Sequence, residues 1–377
     1  MQEATFIRGL RLFGAVLAIA WGAALVWPHP AHGNDSSDPS LFYDSHFHLT
    51  NYIQKGPTAR AYVAMMSDKI GRSTLFGIPL QQTWDYANSQ NFAPTYYLQS
   101  DAPLYYYSFT DAWIATQYLS LPPEQRKRLD PMITGFNPAD MYGVDHIRRV
   151  LQTFPGVFEG IGEFTIHKEF VSSKVAGNTA SLANPALDKI FAFAAEAGLV
   201  VLIHCDIDTP FDNPEKEPIY LTQMRALLKR HPETTVIWAH TGLGRVVRPV
   251  SQASVIPTRN KNHIQILEEM LEDPSLRHLY FDISWDEVAK YAIATPDVEK
   301  RLADLLNKYP QRFLFGTDVV APADVNAQLR VFHLWDPIFA RLTPQASEDV
   351  RKANFQRLFD EARIRVRAWE RANPAPQ

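Results

Sequence analysis

The chain has 377 residues, of which 46% are hydrophobic and 21% charged, and its net charge is -4. These values exclude a disordered or fibrous protein and allow a sizeable buried core. The balance is mildly acidic and no long Lys/Arg run is present, which argues against nucleic acid as a partner.

Taken in chain order, Arg8 and Arg11 precede an apolar run from Leu12 to Trp27, and the small residues Ala31 and Gly33 follow before the polar Asn34. Charged, apolar and cleavage regions in that order predict a signal peptide over residues 1–33 and export to the periplasm. The run is slightly long for a signal and short for a span of about 20 residues, so an uncleaved membrane anchor is the alternative. No second apolar span follows, so residues 34–377 are expected to be one domain with no membrane contact after cleavage. A single cysteine, Cys205, cannot form an intramolecular disulfide, and that is compatible with export without requiring it.

The stretch Leu41-Phe-Tyr-Asp-Ser-His-Phe-His-Leu-Thr50 reads as an apolar strand ending in His46 and His48. Residues two apart on a strand share a face, so both imidazoles emerge together at its carboxyl end. Two imidazoles are half of a tetrahedral zinc shell, although hydrogen-bonded surface histidines would give the same spacing. Helical spacing follows from Pro57 to Gly71, then a strand from Ser73 to Leu80. An aromatic-rich insertion covers about residues 81–129 and carries a helix from Asp111 to Leu121. It is too long for an ordinary connection, which makes it a lid, a pocket wall or a locally packed aromatic subcore.

Strands are expected next at Met132–Phe136 and Val157–His167, separated by a helix over Ala139–Thr153. Helix Pro185–Ala197 should end at Gly198 in a left-handed cap. Leu199–Ile203 is wholly apolar, as in a strand buried on both faces of a parallel sheet. Helix Ile219–Arg230, strand Thr235–Ala239, a polar loop over Gly242–Asn260, helix His263–Leu271, strand Leu279–Ser284, helical sequence within Asp286–Asn307 and strand Arg312–Phe315 complete the alternation. Eight strands alternating with helices predict a (β/α)8 TIM barrel with the insertion after strand 2 and extra helices at the C-terminus.

Polar residues stand where these strands stop: His46 and His48, Glu163 in Gly160-Ile-Gly-Glu-Phe, His204, His240 in Ala239-His-Thr-Gly, and Asp318 in Phe315-Gly-Thr-Asp. The carboxyl ends of the strands of a parallel barrel converge on one face, where catalytic groups lie. Imidazoles together with carboxylates form a metal-ligand set that suits zinc. Asp44 and Asp206 share strand parity with the histidines and are candidates to orient them. Cys205 points to the opposite face from His204 and reads as a small buried hydrophobe. His167, His263 and His278 gain no partner from the pattern. Arg245 and Arg248 follow His240 and either receive a substrate carboxylate or phosphate or remain solvated loop residues.

These residues resemble those of the amidohydrolase superfamily, the metal-dependent barrel hydrolases, and especially the amidohydrolase-related branch that also contains decarboxylases. The resemblance covers essentially the whole mature chain, including Asn354-Phe-Gln-Arg-Leu-Phe359, which is similar to the family's closing helix. It implies metal ligation by His46, His48 and His204, with Asp318 both binding metal and moving protons, and with His240 binding a second metal or polarising the substrate. Glu163 resembles the strand-four carboxylate that bridges two metals in some branches, a ligand the decarboxylase-like branch lacks. One or two zinc ions per chain follow, another divalent metal being the alternative.

The expected activity is hydrolysis of an ester, amide, lactone or phosphoester bond in a small molecule, with Asp318 taking the proton from a zinc-activated water and His240 or the metal stabilising the oxyanion. A zinc-dependent decarboxylase of an aromatic acid is one alternative and a non-catalytic metal-binding protein another. A homo-oligomer is compatible with the sequence.

Overall fold

The computed structural model describes residues 38, 40–50, 56–78, 109–168, 181–209, 216–245 and 261–375. The expected signal peptide, the aromatic insertion as far as residue 108 and Arg248 lie outside the described residues.

Among the described residues, ten parallel-paired strands carry the architecture: β1 (Phe42–Asp44), β2 (Phe47–His48), β3 (Ile70–Leu75), β4 (Leu129–Ile133), β5 (Gly160–His167), β6 (Val200–Cys205), β7 (Val236–Trp238), β8 (Leu279–Ile283), β9 (Phe313–Phe315) and β10 (Val319–Val320). Eight of them form one sheet in the order β1-β3-β4-β5-β6-β7-β8-β9, each pair parallel. Both the amide and the hydroxyl of Ser45 donate to the Phe315 carbonyl, and β2 pairs with β10, so β1 and β9 are drawn together into a nearly closed TIM barrel. The connecting segments supply helices that cover the outside, as parallel strands require.

The local chemistry explains the elements. Every residue of β6 is buried, as its apolar run demands. The Pro185–Ala197 helix starts where the Asn184 side chain accepts from the Ala186 amide and ends at Gly198, whose φ of 81° is the left-handed cap the sequence predicts. Apolar side chains fill two layers. A barrel interior is formed by Met132, Val200, Leu202, Ile237 and Leu314, plugged from below by Phe355, Leu358 and Phe359 of the Asn354–Ala372 helix. A second, larger layer lies between the strands and the helices.

Several element bounds differ from expectation. The first strand breaks at Ser45–His46 rather than running through, and the chain resumes as β2, which pairs with β10 and, through His48, with Phe76 just beyond β3. The second strand starts at Ile70 instead of Ser73, and the third runs over Leu129–Ile133 instead of Met132–Phe136. Both strands take in a charged residue near their start, and Arg72 and Asp130 meet there in a largely buried ion pair, with Nη2 2.7 Å from Oδ1, at the amino-terminal foot of the barrel. The helix expected within Asp286–Asn307 is two helices, Asp286–Ala292 and Pro296–Lys308. No helix among the described residues is long and apolar enough to cross a membrane.

Candidate metal centre

His46, His48, Glu163, His204, His240 and Asp318 are carried by the carboxyl ends of five barrel strands and by the segments that follow them, and they meet at one end of the barrel. Three overlapping groups have their ligand atoms within 4.8 Å of one another: His46, His48, Glu163 and Asp318; His46, His240 and Asp282; and Glu163, His204 and His240. All four histidines are buried.

The backbone bends sharply to bring them there. His240 and Thr241 have φ of 55° and 57° after β7, Trp285 has 71° after β8 and Asp318 has 53° after β9. Left-handed conformations in non-glycine residues are strained, and here they cluster where the side chains converge. Gly162, with φ of 110°, precedes Glu163; a Cβ there would lie 2.0 Å from the Leu202 carbonyl oxygen, so only glycine lets β5 deliver the Glu163 carboxylate this close to β6. Asp44 works from below. It accepts from the Thr317 amide and hydroxyl and from Gln328 Nε2, and so ties down the turn that presents Asp318. Burial raises its carboxyl to about 6.

Inside the cluster, His48 Nε2 lies 3.1 Å from Asp318 Oδ1 and 3.5 Å from Glu163 Oε2, and His46 Nε2 lies 3.3 Å from Asp318 Oδ1 and 3.7 Å from Glu163 Oε1. His240 Nε2 is 3.8 Å from Glu163 Oε1 and 3.7 Å from Asp318 Oδ2. Neither His46 Nε2 nor His240 Nε2 has a hydrogen-bond partner, although both are buried. Buried polar atoms are normally satisfied. Two imidazole nitrogens without a hydrogen bond, 3.3 to 3.8 Å from carboxylate oxygens, are a donor set that fits a divalent cation.

The charges agree. Burial alone would lower the His46 imidazole, but the Asp318, Asp282 and Glu163 carboxylates outweigh it and hold its pKa well above the ordinary value. Burial would raise Glu163, yet His204 and His46 keep it well below the usual carboxylate range, and Asp318 is likewise held low by His46, His48 and His240 against its burial. His240 moves the other way, lowered chiefly by burial. The cluster is therefore arranged to keep carboxylates ionised around a positive charge.

His204 differs from the other histidines in having both nitrogens engaged: Nδ1 lies 2.6 Å from Glu163 Oε1 and Nε2 3.0 Å from Asp206 Oδ1. Asp206 thus supports a histidine, as strand parity suggests, whereas Asp44 supports Thr317. Cys205 is buried and free. His167 Nδ1 donates to the Asp206 carbonyl, and His263 Nε2 pairs with the Thr241 hydroxyl.

Four residues of the site escape the sequence reading. Asp282 and Ser284, two apart at the end of β8, are wholly buried: Asp282 Oδ2 accepts from His46 Nδ1 at 2.9 Å, and Ser284 Oγ lies 2.7 Å from His240 Nδ1. A polar pair alternating within apolar Leu279-Tyr-Phe-Asp-Ile-Ser284 is the signal that could have found them. Trp285 sets its ring 5.1 Å from His240, and Lys168 Nζ and Arg245 Cζ stand 4.5 and 4.8 Å over the same indole.

A family model described as amidohydrolase matches residues 43–360. Comparison with curated proteins gives no match. Among solved structures, the chain is similar to an amidohydrolase from Burkholderia multivorans solved with bound zinc, with 14% identity, a TM-score of 0.50, and coverage of 85% of this chain and 99% of that one. It is also similar to Amidohydrolase 2 from Bifidobacterium longum subsp. infantis, with 15% identity, a TM-score of 0.46, and coverage of 85% and 98%. A 2,6-dihydroxybenzoate decarboxylase from Rhizobium gives 12% identity, a TM-score of 0.45, and coverage of 80% and 87%.

Proposed function

Because this chain belongs to the amidohydrolase family, we propose that it is a metal-dependent hydrolase, with zinc as the preferred ion, acting on an ester, amide, lactone or phosphoester bond of a small molecule. The observation that carries the reading is the pair of buried, partnerless nitrogens, His46 Nε2 and His240 Nε2, turned toward the Glu163 and Asp318 carboxylates.

His46, His48, His240, Glu163 and Asp318 would hold the ion, with His204 joining through Glu163. Zinc supplies Lewis acidity, which lowers the pKa of a water in the site toward ~7. Asp318, kept ionised by its histidine neighbours, would take a proton from a water adding to the substrate and return it to the leaving group. The expectation that His240 polarises the substrate fits the geometry less well than ligation does. Its Nδ1 lies beside Ser284 Oγ, whose hydroxyl donates to Asp282, so in the neutral ring Nδ1 carries the proton and Nε2 lacks the one an oxyanion donor needs. Trp285 forms an apolar wall beside His240, and Arg245 and Lys168 over its ring would receive a carboxylate or phosphate of the substrate, Arg248 being a further candidate.

Decarboxylation of an aromatic acid is favoured by one feature, the Trp285 indole flanked by two cations, which offers a stacking surface beside an anion site. Glu163 inside the ligand cluster argues for hydrolysis. Elemental analysis of the purified protein, with a panel of esters, lactones, amides, phosphoesters and hydroxybenzoic acids, separates the two. Zinc with turnover only on the hydrolysable substrates is expected. Carbon dioxide release alone would establish the lyase, and a protein without bound metal would defeat both readings.

A further inference from the structure

Behind the ligand cluster stands one carboxylate with an unusual number of dependants. Asp282 Oδ2 accepts from His46 Nδ1 at 2.9 Å, while Oδ1 accepts from the backbone amide of His240 at 2.7 Å and from the hydroxyl of Ser284. Ser284 Oγ in turn lies 2.7 Å from His240 Nδ1. A carboxylate can only accept, so the Ser284 proton must point to Asp282, and Ser284 must then accept from Nδ1–H of His240. In the neutral form that a metal requires, both imidazoles are thereby fixed with the proton on Nδ1 and the lone pair on Nε2, the two nitrogens that face Glu163 and Asp318 without a hydrogen-bond partner.

We infer that Asp282 is a shared positioning residue, which sets the tautomer of His46 directly and that of His240 through Ser284, so that a single carboxylate prepares two ligands from strands on opposite sides of β8 and β9. Orientation of a metal-binding imidazole through its other nitrogen raises metal affinity, and removal of such a support costs roughly 10- to 100-fold. Here one support serves two rings, and the hydrogen-bond inventory says which ring suffers from which substitution. In Asp282→Asn, the two fixed donors, the His240 amide and the Ser284 hydroxyl, claim the amide oxygen. The amide NH2 then faces His46 Nδ1, which must become an acceptor and move its proton to Nε2, into the site. Ser284→Ala keeps the short Asp282 bond to His46, removing only a 3.5 Å contact of Oγ with His46 Nδ1, and frees His240.

The assignment of His46 and His240 as ligands belongs to the function proposed above, so the test has one arm that depends on it and one that does not. Zinc affinity is measured by competition with a chromophoric chelator, and ring protons are read by 15N-histidine NMR, with resonances assigned from single histidine variants. Asp282→Asn is expected to bind zinc ~10- to 100-fold more weakly and to lose the protected Nδ1–H signal of His46 while keeping that of His240. Ser284→Ala should show the converse pattern with a smaller loss of affinity. Should Asp282→Asn fail to fold by circular dichroism, Ser284→Ala still tests the His240 limb. In the metal-free wild type, His240 should carry its proton on Nδ1; an Nε2–H tautomer there overturns the inference whatever the protein binds. Zinc affinity within about threefold of wild type in both folded variants, with both Nδ1–H signals intact, overturns it as well. Failure of the wild type to bind zinc, with the His240 tautomer as stated, would remove the metal reading and leave the positioning role standing.

Discussion

Glu163 reaches from β5 to His204 on β6, its Oε1 2.6 Å from Nδ1, and makes that imidazole the bridge between two carboxylates, since Asp206 holds the other nitrogen. Burial would lower this histidine, yet Asp206 and Glu163 raise it to about 9, so in the metal-free protein it is charged at neutral pH. Glu163→Gln removes one of the two supports. In metal-free protein, the His204 titration followed by NMR should move downward from about 9 toward the ordinary histidine range. An unmoved titration would mean that Asp206 alone sets the charge of His204.

The orphaned nitrogens lead to a second expectation. His46 lies against both Asp318 and Glu163, so His46→Ala opens the centre of the cluster and should remove most of the copurifying zinc. His204→Ala tests the ligand role implied by the family resemblance, against an arrangement in which both ring nitrogens already face carboxylates. It should lose less zinc than His46→Ala. Elemental analysis of both variants, with folding checked by circular dichroism, decides the order; undiminished zinc in folded His46→Ala would refute the ligand set, and equal loss in the two would make His204 a ligand as well.

The barrel and most of the cluster are legible in the sequence because parallel strands announce themselves as apolar runs, and their last residues can then be compared for metal-binding types. His46 and His48 stand out by spacing alone, and Gly198 ends its helix where the pattern puts the cap. What stays hidden depends on closure in three dimensions. Asp282 has no meaning as a ligand support until β8 and β9 are known to lie beside β1, 236 residues away in sequence from its partner His46. Asp130 and Pro131 are poor strand residues by type, and only the pairing of the buried Asp130 with the partly exposed Arg72 and Arg363 shows why the strand can include them. The left-handed backbone at His240 and Asp318 is likewise invisible in residue types that are not glycine.

The same foot of the barrel yields a pH prediction. Glu159 is buried, with Oε1 3.2 Å from Arg363 Nε and 3.1 Å from Arg367 Nη2, while its Oε2 has no partner. Burial raises its carboxyl to about 7 in spite of Arg367 and Arg363, with Asp130 adding to the rise. The folded value exceeds the unfolded one, so the protonated form favours folding; its contribution is complete below the unfolded value and fades as pH climbs through about 7. The stability of wild type minus that of Glu159→Gln should therefore fall between pH 5 and 8, by an amount on the order of 2 kcal/mol. Denaturant unfolding at several pH values measures it, and a difference that rises with pH would show that the arginine pairs outweigh burial.

Asp318 offers the sharpest separation of roles. Its Oδ1 is 3.1 Å from His48 Nε2 and 3.3 Å from His46 Nε2, so one oxygen already sits among the ligand nitrogens, and its backbone amide is pinned 2.7 Å from the His46 carbonyl. The histidines overcome the effect of burial and keep the carboxylate ionised at neutral pH, ready to accept a proton. Asp318→Asn preserves an oxygen that can still coordinate and a side chain of the same shape, and it removes only the capacity to take a proton. Most of the metal should remain while turnover on the substrate identified by the panel falls by a factor on the order of 10² to 10⁴. If Asp318 acts chiefly as a ligand, metal content and rate will instead fall together, and a variant that keeps both would exclude it as the proton acceptor.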